Sequence, residues 1–180
     1  MNTLTPPPQT RITSEASLLA WLDRHSIAYC RVEHPPVYTC EQADRSRPAM
    51  PAAHTKNLFL RDRQARCYLL MTYCEKPVDM KALGQRMGVS KLHFGSEEKL
   101  LNLLGVLPGA VTLLGLVNDT QRQVQLVVDA ALWREENFLC HPLVNTATLL
   151  LARSDLLRFI ELTGHQPQVV DVPARGGSPG

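Results

Sequence analysis

Two adjacent polar residues, Lys56 and Asn57, stand at the head of the apolar run Leu58-Phe59-Leu60. A lysine where a buried strand begins rides on rigid backbone, so its ammonium is a cation held on a rigid element and not on a mobile loop. Asn57 can orient polar groups of a substrate beside it. Further on, Gly105-Val106-Leu107-Pro108-Gly109-Ala110-Val111 sets two glycines around a proline, which lets backbone N–H groups approach a ligand with little side-chain obstruction. The amides near Gly109, Ala110 and Val111 are candidate donors to a carbonyl oxygen. A third stretch, His141-Pro142-Leu143-Val144-Asn145-Thr146-Ala147-Thr148, places His141, Asn145 and Thr148 beside a strand-like run, where they can form one wall of a pocket or hold a water.

Each group also has a plainer use. A strand-edge lysine discourages sheet aggregation, Gly105 is a natural helix C-cap, Pro-Gly is a common turn, and a lone histidine often bonds only to a carbonyl. No Ser/His/Asp motif, paired carboxylates, Walker loop, G-x-G-x-x-G or H-E-x-x-H stands in the sequence. The chemistry these residues favour is therefore a positioned water, with the protein supplying geometry and electrostatics. Cys30, Cys40, Cys67, Cys74 and Cys140 form an odd set without a C-x-x-C pair, which predicts reduced, buried side chains and neither a disulfide framework nor a zinc site. Cys140 and His141 are neighbours on a strand and face opposite sides, so a Cys–His nucleophile pair is not expected.

The elements that must hold these groups are legible from caps and periodicity. Ser14 caps a helix reaching about His25, with Leu18, Leu19 and Leu22 as its apolar stripe. Residues Ile27 to Val32 read as a strand, followed by the extended His34-Pro35-Pro36 segment. Thr39 with Gln42 is a capping-box pair for a short helix fading near Arg47-Pro48. Lys56–Leu60 and Cys67–Tyr73 read as paired strands around a polar turn. Asp79 and Ser96 start helices that Gly88 and Gly105 stop. Gln123–Asp129 and Phe138–Leu151 carry strand signals, the latter broken near Pro142, and Ser154 begins a last helix ending at Thr163-Gly164. Strands and helices alternate irregularly, which predicts an α+β fold: one domain with a mixed, largely antiparallel sheet and flanking helices. Residues 1–12 and 172–180 read as loose ends of a domain spanning 13–171.

At 180 residues the chain has the size of one domain with a sizeable core. No apolar stretch suffices to cross a membrane, and the start lacks a signal-peptide pattern, so a cytoplasmic location is expected. Residues 45–99 hold eleven Lys/Arg against five Asp/Glu, whereas 1–44 (three against five) and 100–180 (five against seven) are each slightly acidic. That asymmetry suits a face for a phosphate backbone.

Taken together, His34-Pro35-Pro36-Val37-Tyr38-Thr39, Lys56 to Leu60, the Gly105 to Val111 loop, Asn118-Asp119 and His141 to Thr148 resemble the YbaK/ProX family of aminoacyl-tRNA editing domains over about residues 18–165. They are most similar to its freestanding Ala-tRNA(Pro) deacylase branch. The resemblance implies an enzyme that cleaves the aminoacyl ester of mischarged tRNA(Pro) and spares Pro-tRNA(Pro). It implies Lys56 and Gly109 as catalytic groups, and Asn57, Gly105, Pro108, Ala110, Val111, His141, Asn145 and Thr148 as substrate-binding ones. No cofactor or metal is expected. The partners implied are the charged acceptor end of tRNA(Pro) and, transiently, prolyl-tRNA synthetase, and the chain is expected to be a monomer. Where relatives often continue with Pro-Phe-Gly after the loop, this chain has Leu113-Leu114-Gly115-Leu116, which bears on pocket size and hence on the amino acid chosen. A deacylase of Cys-tRNA(Pro) or of another small mischarged amino acid, and a non-catalytic module that binds aminoacyl-tRNA or a synthetase, are the alternatives.

Overall fold

Local capping chemistry sets most helix ends. The computed structural model of the protein describes residues 11–46 and 49–176. Helix α1 (Glu15–Arg24) begins at Ser14, whose hydroxyl accepts the Ser17 amide while the Ser17 hydroxyl accepts the Ser14 amide, and it buries Leu18, Trp21 and Leu22. In α2 (Cys40–Ser46), Thr39 Oγ1 accepts the Gln42 amide at 3.1 Å, while the Gln42 side chain returns to the Tyr38 amide at 2.8 Å, one residue outside the usual box. Asp79 caps α3 (Met80–Arg86) and Ser96 caps α4 (Glu97–Leu104), which ends at Gly105 with φ 71°. Helix α5 (Arg153–Leu162) starts one residue earlier than the Ser154 expectation. Its cap position is Ala152, because the preceding strand runs straight into the helix and Glu136 O accepts the Arg153 amide at 2.8 Å.

The strands are β1 (Cys30–Glu33), β2 (Ala53–Arg61), β3 (Cys67–Tyr73), β4 (His93–Phe94), β5 (Val124–Asp129), β6 (Asn137–Cys140), β7 (Ala147–Ala152) and β8 (Gln168–Val170). They form a mixed sheet in the order β1-β7-β6-β2-β3-β5-β8, with β4 beside β2. Pairings β1–β7, β6–β7, β2–β3 and β2–β4 are antiparallel; β2–β6, β3–β5 and β5–β8 are parallel. This is the α+β single domain expected, but the parallel partners, the short β4 and β8, and a buried 3-10 helix at Leu113–Asn118 were not legible from periodicity.

Strand β3 is apolar on both faces because both are covered. Leu69 and Met71 join the larger core with Leu18, Leu22, Leu104, Phe138 and Phe159, while Tyr68 and Leu70 join a smaller one with Leu60, Leu83 and Val127. Buried polar groups tie the layers together. Asp119 accepts the Gln123 and Val124 amides and lies 3.1 Å from His165 Nε2. Burial alone would raise its pKa, but these hydrogen bonds outweigh it and hold the carboxyl below its ordinary value.

Ordered contacts reach further toward each end than the boundaries at 12 and 172 suggest. Asn118 bonds Ile12 through both amide atoms, Val172 is buried, and the Arg175 amide donates to Pro77 O at 2.7 Å. Residues 1–10, 47–48 and 177–180, on which parts of the expected loose ends and the α2 terminus fall, lie outside the described residues. The cysteines also depart from expectation. Cys40 and Cys74 form a disulfide with Cα atoms 5.7 Å apart, Cys30 is exposed, and only Cys67 and Cys140 are buried thiols. Adjacency in sequence carries no information about a bridge that the tertiary fold closes across 34 positions.

Candidate active site

The site begins where the sheet splits. Strand β2 pairs with β6 only at Ala53–Phe138 and His54–Leu139, after which β2 follows β3 and β6 follows β7. Thr55 Oγ1 donates to Leu139 O at 2.6 Å across the point of divergence. Beyond it opens a cleft of about 180 Å³, with His54 to Asn57 on one side, Leu139 to His141 and Thr148 on the other, and Val37 to Cys40, Cys74, Gly109 and Val111 around its mouth.

Of the ten residues singled out in the sequence, Lys56, Asn57, Gly109, Val111, His141 and Thr148 line this cleft. The Lys56 ammonium is half-buried and donates to Lys76 O at 2.5 Å, so its remaining N–H bonds have a fixed origin. Burial lowers its pKa below the usual lysine value, and the Glu75 carboxylate opposes that shift in part. Asn57 Oδ1 is, among the described residues, the single buried side-chain oxygen or nitrogen without a hydrogen-bond partner. A buried orphan acceptor is costly, and a ligand O–H or N–H would satisfy it.

The other wall is tied into a network. His34 is buried, with Nδ1 at 2.9 Å from Pro35 O and Nε2 at 2.9 Å from Thr148 Oγ1. A carbonyl at Nδ1 requires N–H there, which leaves Nε2 to pair with the Thr148 hydroxyl. The His141 ring places Nδ1 at 3.0 Å from Ala147 O and meets the His34 ring edge to face at 6.2 Å. Cys140 has its thiol pKa pushed up to about 12 by burial, which removes it as a nucleophile at neutral pH.

Four residues stand outside the lining. Gly105 is the α4 C-cap, where a Cβ would come within 2.6 Å of Asn118 Nδ2. Pro108 is exposed on the loop. The Ala110 amide donates to Leu107 O at 3.1 Å, so it closes a turn and is not a ready donor to a ligand. Asn145 works one layer back: its side-chain Nδ2 donates to Val37 O and its main-chain carbonyl accepts the Val37 amide, both at 3.1 Å, fixing the segment that carries Tyr38 and Thr39. Leu113, Leu114 and Leu116 are buried in the main core, so the departure there lies outside the cleft lining.

Gly109 has φ 90°, and an added Cβ would touch the Tyr38 ring at 3.5 Å. Loop and ring therefore flank one another at the mouth, and Tyr38 is 73% exposed. Tyr38 and Thr39 stand in a sequence motif without a site role, and His54 and Thr55 join the lining just before Lys56. An exposed aromatic after Pro-Pro is the one local signal that points to Tyr38.

A sequence profile described as "Aminoacyl-tRNA editing domain" matches residues 34–159. The chain belongs to this family. All the cleft residues named above fall within the matched stretch of the editing domain. It is 36% identical over 152 residues to "Prolyl-tRNA synthetase associated domain-containing protein 1" of Danio rerio, covering 83% of each chain. It is 32% identical over 160 residues to "Prolyl-tRNA editing protein ProX" of Acetoanaerobium sticklandii, covering 88% of this chain and 98% of the relative. Among solved structures, one provisionally assigned as a trans-editing enzyme for prolyl tRNA synthetase superposes with a TM-score of 0.68 at 19% identity, covering 92% of the editing domain's chain and 99% of the other, a likeness of fold.

Proposed function

We propose that the protein deacylates tRNA(Pro) carrying a small, wrongly attached amino acid, alanine above all, and leaves Pro-tRNA(Pro) intact. The observation that carries this reading is the convergence of Lys56, Asn57 and Gly109 on one small cleft in a chain of the editing family. The names of its relatives supply the tRNA. Pockets for drug-sized ligands run to roughly 300–1,000 Å³, so a cleft of about 180 Å³ suits an aminoacyl ester and not the whole terminal nucleoside. The adenosine then lies across the mouth, its base stacked on Tyr38.

In the mechanism, a water oxygen attacks the ester carbonyl carbon, the carbon–oxygen bond to the ribose breaks, and the departing ribose oxygen takes up a proton. The Lys56 ammonium stabilises negative charge on the ester or the terminal phosphate. Asn57 Oδ1 accepts from the amino acid's ammonium or a ribose hydroxyl. A ribose hydroxyl moves the proton, since among the described residues no carboxylate lines the cleft. A synthetase pocket cannot strongly exclude an amino acid lacking a methylene, worth only about 1–3 kcal/mol, so a second sieve that admits alanine and rejects the proline ring corrects the error. The protein acts in trans as a cytoplasmic monomer, with transient contact to prolyl-tRNA synthetase.

The test is hydrolysis of Ala-tRNA(Pro), Pro-tRNA(Pro) and Cys-tRNA(Pro) by wild type and Lys56→Ala. Selective, Lys56-dependent loss of alanine is expected. Preferred loss of cysteine would reassign the specificity, and binding without turnover across the panel would replace the enzyme with a binding module.

A further inference from the structure

The cysteine pair Cys40–Cys74 is not required by any step above, yet both residues line the cleft. Cys40 is the first residue of α2, directly after Tyr38 and Thr39 at the mouth. Cys74 belongs to the turn after β3 that ends at Lys76, the residue whose carbonyl accepts the Lys56 ammonium. Lys76 is itself anchored: its ammonium lies 2.6 Å from the buried Asp129 carboxylate, which also accepts the Thr72 hydroxyl. The Cys74 amide donates to His54 O at 2.9 Å and the Lys76 amide to Tyr73 O at 3.2 Å. This side of the bridge is thus fixed whether or not the disulfide is present. On the α2 side the Val37–Asn145 bonds, the buried Ala43 and the Asp44–His54 pair hold the segment. The disulfide is the covalent link between the α2 wall and the anchored one.

We propose that Cys40 and Cys74 are a thiol–disulfide exchange site that sets editing activity, with the bridged form the active one. Its co-reactants are dithiol reductants and low-molecular-weight disulfides. Both cysteines are half-buried and face the cleft, so a small thiolate can reach them through the mouth. In reduction, a thiolate of the dithiol attacks one cysteine Sγ, the Sγ–Sγ bond breaks and a mixed disulfide forms. The second thiol of the reductant then closes on the first, releasing two cysteine thiols; two electrons and two protons pass from the dithiol to the protein. Oxidation by a small disulfide runs the reverse exchange and releases two small thiols. Once the bridge opens, α2 no longer holds Tyr38 and Thr39 at a fixed distance from Lys56. Misplacement by about 1 Å is enough to cost a reaction roughly 100-fold.

The proposal rests on the deacylase reading for its activity arm, and the experiment keeps the two apart. Alkylation in denaturant followed by intact mass counts free thiols: three are expected after treatment with oxidised glutathione, and five after dithiothreitol. Hydrogen exchange of the α2 amides is expected to speed up on reduction, and deacylation of Ala-tRNA(Pro) to fall roughly 10- to 100-fold. The double variant Cys40→Ser/Cys74→Ser should match reduced wild type and ignore reductant, while Cys30→Ser should keep the full response. Five free thiols in both states would overturn the exchange site. A count that changes while α2 exchange and rate stay the same would overturn the coupling. Failure to cleave any ester in either state, with the thiol count and α2 exchange still responding, would sink the deacylase reading alone.

Discussion

Lys56 is held by one carbonyl and partly desolvated, which makes its charge both well aimed and easier to lose. Because burial depresses its pKa, the ammonium is fully present below that value and disappears as pH rises through it, earlier than for a lysine with the ordinary pKa of about 10.4. The enzymatic rate, corrected for spontaneous ester hydrolysis, should therefore fall on the alkaline side. Lys56→Ala should lower kcat by about 100-fold on the acid side of the profile, where the ammonium is present, the size of one lost charge-stabilising donor, and by less as wild type loses that charge. Lys56→Arg should abolish the alkaline fall even where its absolute rate is lower, because guanidinium stays charged. Rates from about pH 6.5 up to about 10.4, the ordinary His and Lys pKa values, for the three proteins check this; parallel profiles for wild type and Lys56→Arg would contradict it. Tyr38 makes a different kind of contribution. If it stacks the terminal base, Tyr38→Ala should raise KM by about tenfold, in line with roughly 1–3 kcal/mol per stacked base, while Tyr38→Phe keeps KM and kcat near wild type. An unchanged KM for Tyr38→Ala would remove the stacking role.

At the scale of elements, the Gly105 to Val111 loop contains two glycines with different duties. Gly105 needs a left-handed conformation to end α4, and its missing Cβ leaves room for the Asn118 side chain that also bonds Leu104 O and Ile12. Gly105→Ala should cost about 1–3 kcal/mol of stability, read by denaturant unfolding, and leave kcat/KM of the folded fraction close to wild type. Gly109 is exposed, has φ 90° and flanks Tyr38 at the mouth. Gly109→Ala should reduce kcat/KM by about tenfold or more while altering stability less than Gly105→Ala, because the loop can relax into solvent but not without moving the mouth. Equal effects of both changes on unfolding and turnover would dissolve the distinction. The glycine and proline pattern made the loop legible; which amides remain available was not, since the Leu107–Ala110 turn depends on the path the backbone takes in three dimensions.

For the whole molecule, the excess of positive charge in residues 45–99 is smaller than the sequence suggests. Arg45, Arg66, Lys76 and Arg86 pair with Glu41, Asp62, Asp129 and Asp171 respectively. Four of the eleven cations are thereby occupied, and on the proposed function recognition of the acceptor end, and not of a long stretch of duplex, engages only a few of the rest. The salt dependence of KM for Ala-tRNA(Pro) should accordingly be shallow, a log–log slope of about 1–3, corresponding to a few displaced counterions. A slope near that of proteins making roughly 6–10 phosphate contacts would demand an extended basic surface instead.

Caps, glycine stops and apolar runs were readable because they act within a turn or a strand: Ser14, Asp79 and Ser96 each satisfy amides two or three residues away. The motifs around Lys56 and Gly109 were readable for the same reason, as short runs whose order matches a family. Only the tertiary structure decided that β2 runs parallel to β6 for two residue pairs and then leaves it, although that divergence makes the cleft. It alone decided that Asn57 keeps an orphan acceptor, that Asn145 supports the mouth from behind, and that Cys40 meets Cys74. Periodicity encodes the conformation of neighbours along the chain; the choice of distant partner is made by burial of whole surfaces, which no local spacing records.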